Sequence, residues 1–330
     1  MSQLVEDCMN GKLSRKNMAD DDILPPPVHH QAPPTSDACI QQSWERCASS
    51  YNLDPSQGWI ADVLSGAEFR QASGRSSLLL KSAMEEMRRL FDLVQGMGLM
   101  VLLADPDATI LARCADETHL SVCRRLHLRK GAVWHESAAG TNGVGTCVKE
   151  KCPIFLGQGE HWRFCFSLLA SYAVPVFDAQ GHVAGALNLA AFNGNSTKPY
   201  AALLMDTLLQ SGRRIEEQLF RTHYVDKKIL TLGPANGCSA PLVALNGDGE
   251  VIGATHASRV MMGWTENMIK DHPNLLSELE TGCEISLQKA EESVVRSALA
   301  ASHGNVAATA RSLGISRATL YRKMKGLNIQ

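Results

Sequence analysis

Three glycines, Gly140, Gly143 and Gly145, crowd the stretch "ESAAGTNGVGTCVKE" (136–150), with Lys149 close behind. Glycines beside a lysine suggest a phosphate cradle, in which backbone N–H groups and an ammonium converge on one anion. The strict form needs four residues between its glycines and then Gly-Lys-Ser/Thr. Here the spacing differs, Lys149 is followed by Glu150, and no other window fits. Thiol chemistry comes next. Ten cysteines (8, 39, 47, 114, 123, 147, 152, 165, 238, 283) are scattered without a CxxC, as expected of reduced thiols, many buried as small hydrophobes. Thiolate catalysis needs positive charge nearby, and Cys123 beside Arg124 and Arg125 is the local candidate. Cys147, Cys152, His161 and Cys165 could hold a metal, haem or redox centre, but their spacings match no standard zinc pattern. His29–His30, in a proline-rich stretch, reads as solvated.

The charge distribution directs attention to the C-terminus. The formal net charge is −2. Residues 286–330 carry seven Lys/Arg against two Glu, which leaves 25 basic and 32 acidic residues in the remainder. A small basic terminus on an acidic body points to a polyanion partner.

The periodicity of Leu287, Ala290, Val294, Val295, Ala298 and Leu299 predicts a helix over 287–299, with Glu291 and Glu292 early, where the helix dipole favours them. Asn305 is placed to cap a helix over Val306–Ser312. Gly314 can supply the positive φ of a tight turn. Ser316 caps a last helix in which Leu320 and Met324 face inward. This is helix-turn-helix spacing, with Ala310, Gly314 and Leu320 in the packing and turn positions. The polar face of the last helix presents Ser316, Arg317, Thr319, Tyr321, Arg322, Lys323 and Lys325. Such a helix lies in the major groove of double-stranded DNA. Arg317 suits bidentate contact with guanine, while Tyr321, Arg322 and Lys325 suit phosphate.

The length of 330 residues suggests about two to three domains, and 45% hydrophobic with 20% charged residues is ordinary for a soluble chain. No secretory signal opens the sequence. Its longest apolar run, "MGLMVLLA" (97–104), is far short of the ~20 residues of a membrane span. A cytoplasmic protein without a membrane partner is expected. Residues 1–37 read as a disordered tail and 38–75 as a helical lead-in. A long amphipathic helix at 76–96, strands in "LMVLLADPDATILARCA", "CPIFLG" and "SYAVPVFDAQGHVAGALNLAAF", and a helix over 199–229 make a sensory domain spanning 76–230. The turn "DAQG" joins two of its strands as a hairpin. The fold class is α+β with an antiparallel sheet flanked by helices. Residues 231–285 form a connector that begins strand, turn, strand, helix, and 286–330 the all-α terminus.

Two resemblances accompany these readings. "GNVAATARSLGISRATLYRKMKGLNI" resembles the DNA-binding domain of the Fis family, which implies a dimer paired through its first helix. "SWERC…NLDP", "GLMVLLADPDATIL", "GAVWHESAAGTNGVGTCV", "GEHW" and "AVPVFDAQGHVAGALNL" resemble the sensory region of acetoin-catabolism-type regulators, which carry a GAF domain. The match runs over roughly 39–225. It implies that "GTNGVGT" shapes a turn and helix start beside a small-molecule pocket, with Trp134, His135, Glu136, Thr141, Asn142 and His161 as candidate ligand contacts. "CSAPLVALNGDGEVIGATHASRVMMGW" resembles the opening of a PAS domain, too short to be a whole one. Regulators of this kind normally carry a sigma-54-directed ATPase module between sensor and DNA-binding domain; the interval between 265 and 286 cannot hold it.

The expected function is sequence-specific DNA binding controlled by a small effector such as acetoin, a diol or an alcohol. It proceeds without ATP hydrolysis, and RNA polymerase or a full-length regulator are further partners. No catalytic residue, metal or cofactor is assigned. The alternatives are a redox- or metal-responsive GAF sensor, a GAF-type methionine sulfoxide reductase and an effector-free architectural DNA binder.

Overall fold

The computed structural model describes residues 36–192, 197–233 and 239–275, together with 295, 299, 306, 309, 310, 313 and 315–326 of the C-terminal segment. The expected disordered tail, His29–His30, the Asn305 cap and the Gly314 turn lie outside the described residues. Two compact units share them: Gly247–Glu250 and everything from Asp271 onward form one, and the rest of the chain the other.

The larger unit is built on a five-stranded antiparallel sheet. Its strands are β1 (Leu99–Ala104), β2 (Ile110–Cys114), β3 (Ile154–Leu156), β4 (Ala170–Phe177) and β5 (Val183–Ala191), in the order β2-β1-β5-β4-β3. Its helices are α1 (Ser36–Glu45), α2 (Gly66–Arg75), α3 (Ser77–Val94), α4 (Leu120–Arg125), α5 (Glu136–Ala139), α6 (Gly143–Glu150) and α7 (Ala201–His223). Every residue of β1 and β4 is buried, because both faces of the sheet are covered and neither tolerates the polar alternation of a half-exposed strand. On one face α3 contributes Leu79, Ala83, Met87 and Leu90, and α7 contributes Leu204, Leu208, Ile215 and Leu219. These recur at intervals of three, four or seven residues, which puts them in one stripe per helix. The sheet answers with Val101, Leu103, Tyr172, Val174, Leu187 and Leu189. Its opposite face carries Met100, Leu102, Ala173, Ala186 and Ala190 against Ile40, Trp59, Trp134, Val144 and Phe166.

Local chemistry fixes the connections. Ser65 and Glu68 form a reciprocal capping box at the start of α2. Asp178 Oδ1 accepts from the backbone N–H groups of Gln180 and His182, both at 2.9 Å, which locks the "DAQG" hairpin predicted between β4 and β5. Glu86 of α3 pairs with Arg89 and reaches Arg214 of α7 at 3.0 Å. Burial works against its charge, but these partners and Ser211 outweigh it and hold the carboxyl below its usual range. The lead-in is part of the same core, since Ile40, Trp59 and Ala61 are buried within it.

The helix expected over 199–229 stops earlier, at His223. Tyr224 N–H still bonds back to Phe220, but the Tyr224 ring packs on Phe220 and its hydroxyl donates to the Ile252 carbonyl at 3.3 Å. The apolar pair Ile229–Leu230 then joins a second sheet instead of continuing the helix. That sheet comprises β6 (Lys228–Thr231), β7 (Leu242–Leu245) and β8 (Val251–Ala254), in that order and antiparallel, followed by α8 (His256–Met262) and α9 (Glu266–Lys270).

The smaller unit contains α10 (Arg317–Gly326). Leu320 and Met324 pack with Val295 and Ala310, and Leu299, Val306, Leu313 and Ile315 close around them. This is the inward face expected of the last helix.

Candidate functional site

A cavity of about 20 Å³ lies between the start of α6 and the sheet, lined by Leu102, Leu128, Trp134, Val144, Leu169 and Ala190 with Asn142, Gly143, Ala170, Ser171 and Asn188. Its aromatic wall is continuous with a cluster in which Trp134 lies 4.7 Å from Trp59 and 5.1 Å from Phe166, centroid to centroid. The walls are largely apolar and no ionisable side chain lines the space. The polar exceptions are Asn142 and a buried pair, Asn188 Nδ2 donating to Ser171 Oγ at 2.6 Å. The volume exceeds the ~10–15 Å³ that one water needs, but a metabolite of several heavy atoms requires the wall to move.

The glycine-rich stretch builds that wall. Gly140 sits at φ 74°, a backbone state that side chains rarely take, and turns the chain into α6. Asn142 caps the helix: its Oδ1 accepts from Gly145 N–H at 2.8 Å while its Nδ2 donates to the carbonyls of Trp134 and Gly140. A Cβ on Gly143 would overlap Ser171 Oγ and meet Asn188 Nδ2 at 2.8 Å. Glycine is therefore what lets the helix start approach the sheet beside the polar pair.

Of the six pocket residues expected from sequence, Trp134 and Asn142 line the cavity and the other four do not. His135 is exposed and caps α5, its ring accepting from Ser137 N–H. Glu136 is 1% exposed and faces α1. It accepts from Ser43 Oγ at 2.6 Å and from the Arg46 guanidinium at 2.8 and 3.0 Å. Burial opposes this charge, yet Arg46 and Ser43 prevail and keep the carboxyl below its ordinary range. Arg46 also pairs with Glu150 at the end of α6. Thr141 joins the same network through Ser43 at 2.8 Å. His161 is buried with Nδ1 unpartnered, and burial pushes its ring down to about 4, so it is neutral.

Sequence reasoning missed Ser171 and Asn188. The available signal was a polar residue inside each of two otherwise apolar strands, "ASYAVPVF" and "VAGALNLAA".

The thiolate chemistry weighed for Cys123 finds little support in the geometry. Cys123 is fully buried and burial pushes its thiol up, away from a reactive thiolate. Among the described residues no three of His, Cys, Asp or Glu gather as a metal ion would need. None of the described helices is long and apolar enough to cross a membrane.

On α10, Ser316 caps the helix by accepting from Thr319 N–H at 3.1 Å. Arg317, Tyr321 and Arg322 are exposed, and Thr319 and Lys323 are half-buried. The Lys325 side chain lies outside the described residues. Arg322 stands opposite the buried Leu320 and Met324, while Arg317 and Tyr321 border that buried side, so one helix presents a packed face flanked by exposed basic groups.

Comparison with known proteins agrees with both halves. Residues 286–327 match the family described as "Bacterial regulatory protein, Fis family". The acetoin catabolism regulatory protein of Cupriavidus necator is 30% identical over 230 residues, covering 68% of this chain and 34% of that protein. The acetoin dehydrogenase operon transcriptional activator AcoR of Bacillus subtilis is 25% identical over 224 residues, covering 68% of this chain and 36% of that one. The chain thus spans about a third of the length of these relatives. Its fold is similar to a chain in the crystal structure of the E. coli DhaR(N)–DhaL complex, with a TM-score of 0.53 at 17% identity over 69% of this chain and 77% of that one. Residues 39–207, just over half of the chain, match the family described as "MimR, N-terminal domain"; the chain belongs to that family and carries this regulatory domain ahead of a Fis-type helix-turn-helix.

Proposed function

We propose that the protein is a cytoplasmic, dimeric transcriptional regulator that binds duplex DNA through α10 and is controlled by a small neutral metabolite in the cavity beneath α6. The observation that carries this reading is the division of α10: Leu320 and Met324 are buried in a cluster with Val295 and Ala310, while Arg317, Tyr321 and Arg322 remain exposed beyond the Ser316 cap. Arg317 reads a base edge, and its neighbours hold phosphate. Catabolic control is the role that the names of the acetoin-operon relatives suggest.

The cavity's chemistry narrows the effector class. With apolar walls, one Asn–Ser pair and no ionisable lining group, it favours a small uncharged molecule with a hydroxyl or carbonyl, such as a hydroxyketone, diol or alcohol. A ligand shifts an equilibrium only through its differential affinity for the two states. The states proposed here differ in how far the start of α6 stands from the sheet. The opposite face of that sheet carries α3 and α7, and a change in their pairing resets the two DNA-binding heads of a dimer on half-sites about 34 Å apart. The protein acts by occupying DNA, without hydrolysing ATP, either alone or beside RNA polymerase or a longer regulator.

The test is a salt titration of affinity for promoter fragments. If each subunit neutralises about five phosphates, a dimer gives a slope of about −9 in log K against log salt. Arg317→Ala should relax sequence preference, and Arg322→Ala should weaken all sequences alike and flatten the slope. A slope near zero, with both variants binding as the parent does, would refute DNA recognition by this surface. A panel of neutral metabolites that shifts neither the melting temperature nor the DNA affinity would refute effector control.

A further inference from the structure

We infer that Cys39 and Cys152 form an oxidant-responsive disulfide that ties α1 to the segment just past α6. Their sulfurs lie 3.1 Å apart although the residues are 113 positions apart in sequence. A disulfide needs about 2.05 Å, so roughly one ångström of side-chain movement closes the bond. Both residues are half-buried, so a small oxidant reaches them. Among the other described cysteines Cys114 is half-buried too, and the rest are more protected. Cys47, Cys123 and Cys147 are fully buried and Cys165 nearly so, and burial pushes the thiols of Cys47, Cys114 and Cys123 up.

The junction that the bond would cross carries apolar contacts through Ile40 and a set of polar ones. Arg46, just past α1, pairs with Glu136 and with Glu150, two residues before Cys152. Ser43 bonds Glu136 and Thr141. A covalent link here adds a constraint of a different kind, closing a loop of more than a hundred residues. It fixes the far end of the helix whose first turn walls the cavity.

The co-reactant is a hydroperoxide. One thiolate attacks a peroxide oxygen; the O–O bond breaks, water or alcohol leaves, and the sulfur becomes a sulfenic acid. The second thiol attacks that sulfur, the S–O bond breaks, and a water leaves carrying the hydroxyl and the thiol proton. Two thiols lose two electrons and the peroxide gains them.

The full chain, reduced and then exposed to limiting hydrogen peroxide, tests this. Remaining thiols are blocked with maleimide and the protein is digested without reductant. The expected product is a linked peptide pair containing Cys39 and Cys152, lighter than the two free peptides by two hydrogens. The titratable thiols should fall from ten by two, and dithiothreitol should restore them. Oxidation should also raise the melting temperature of the parent but not of Cys39→Ser. Cys152→Ser provides the same control should the first variant fail to fold, and the peptide map of the parent needs neither. If both thiols remain alkylatable after peroxide, or if Cys39 links no more to Cys152 than to other cysteines, the inference is overturned.

Discussion

Replacing Arg46 by alanine tests the electrostatic account of how α1 is held. In the parent, Glu136 is 1% exposed and Arg46 23% exposed at their side chains, with two guanidinium contacts at 2.8 and 3.0 Å. Removing one partner of a buried pair typically costs about 3–5 kcal/mol, because it strands the other charge in a low-dielectric site. Ser43 still donates to Glu136, and the arginine edge is wetted, so a value near the lower end, about 3 kcal/mol, is expected. For a unit of this size that lowers the melting temperature by roughly 6–12 °C.

The pH dependence carries the sharper sign. In the parent the folded carboxyl titrates below its ordinary value of 4.5. Its contribution is complete above that value and is lost as pH falls through the folded pKa. Without Arg46, burial dominates and the folded pKa rises above the unfolded one. The variant's deficit is then largest near neutrality and shrinks as pH falls toward 4.5. Urea denaturation of parent and variant at several pH values between 5 and 8 measures the difference. Arg46→Ala with Glu136→Gln should recover much of the loss, since no charge remains to be stranded. A deficit below about 1 kcal/mol, the usual size for an exposed pair, or one constant across this range, would show that the pair is effectively solvated and refute the reasoning.

Further outcomes follow from other sites. Glu216 is 1% exposed, accepts from Ser239 Oγ at 2.6 Å and is pushed up to about 8 by burial. The folded state therefore holds a proton that the unfolded state releases, and parent stability should fall as pH rises from about 5 to 8, whereas Glu216→Gln should flatten that decline in urea titrations. Gly143→Ala should destabilise by about 1–3 kcal/mol through overlap with Ser171 and Asn188; a higher melting temperature would contradict the close approach assigned to that glycine. Leu320→Ala removes the fully buried centre of the C-terminal cluster at about 2–5 kcal/mol, and DNA retention in a mobility-shift assay should be lost with it. Ser316→Ala should cost only about 1 kcal/mol as a lost cap, leaving DNA affinity reduced but measurable by fluorescence anisotropy.

The parts of the fold legible in the sequence are those set by local chemistry. Asp178, with Gly181 three residues on, specifies a hairpin whatever surrounds it, and the apolar stripe on 76–96 specifies α3. Leu320 and Met324 are one helical turn apart, so their shared face could be read directly. The cavity is different because it depends on register. Ser171 and Asn188 meet only because Ala173 pairs with Asn188, and Ser171 with Ala190, across β4 and β5. A shift of one residue would turn one of them to the opposite face. The polar residues of "WHESAAGTN" suggest ligand contacts, but their partners in the fold are not visible locally. His135 caps α5 locally, whereas Glu136 and Thr141 anchor α1, a task that depends on Ser43 and Arg46 some ninety residues earlier. The end of α7 is hard to place from sequence for a similar reason: Ile229 and Leu230 suit a helix locally but find β7 as their partner.

The stretch that first suggests a phosphate cradle therefore ties three parts of the unit together. Its glycines bring the start of α6 onto the sheet, Asn142 locks that start, and Glu136 with Thr141 holds α1 to the outside of the same segment. A molecule larger than the cavity cannot enter without separating α6 from Ser171 and Asn188, and any such separation works against the α1 contacts as well. A ligand-competent state populated only in part weakens apparent affinity by that fraction. Loosening α1, by Arg46→Ala for instance, should therefore tighten effector binding while it lowers stability, and a bridge between Cys39 and Cys152 should act in the opposite direction on both. Contacts that serve the fold alone would not couple the two quantities with opposite signs.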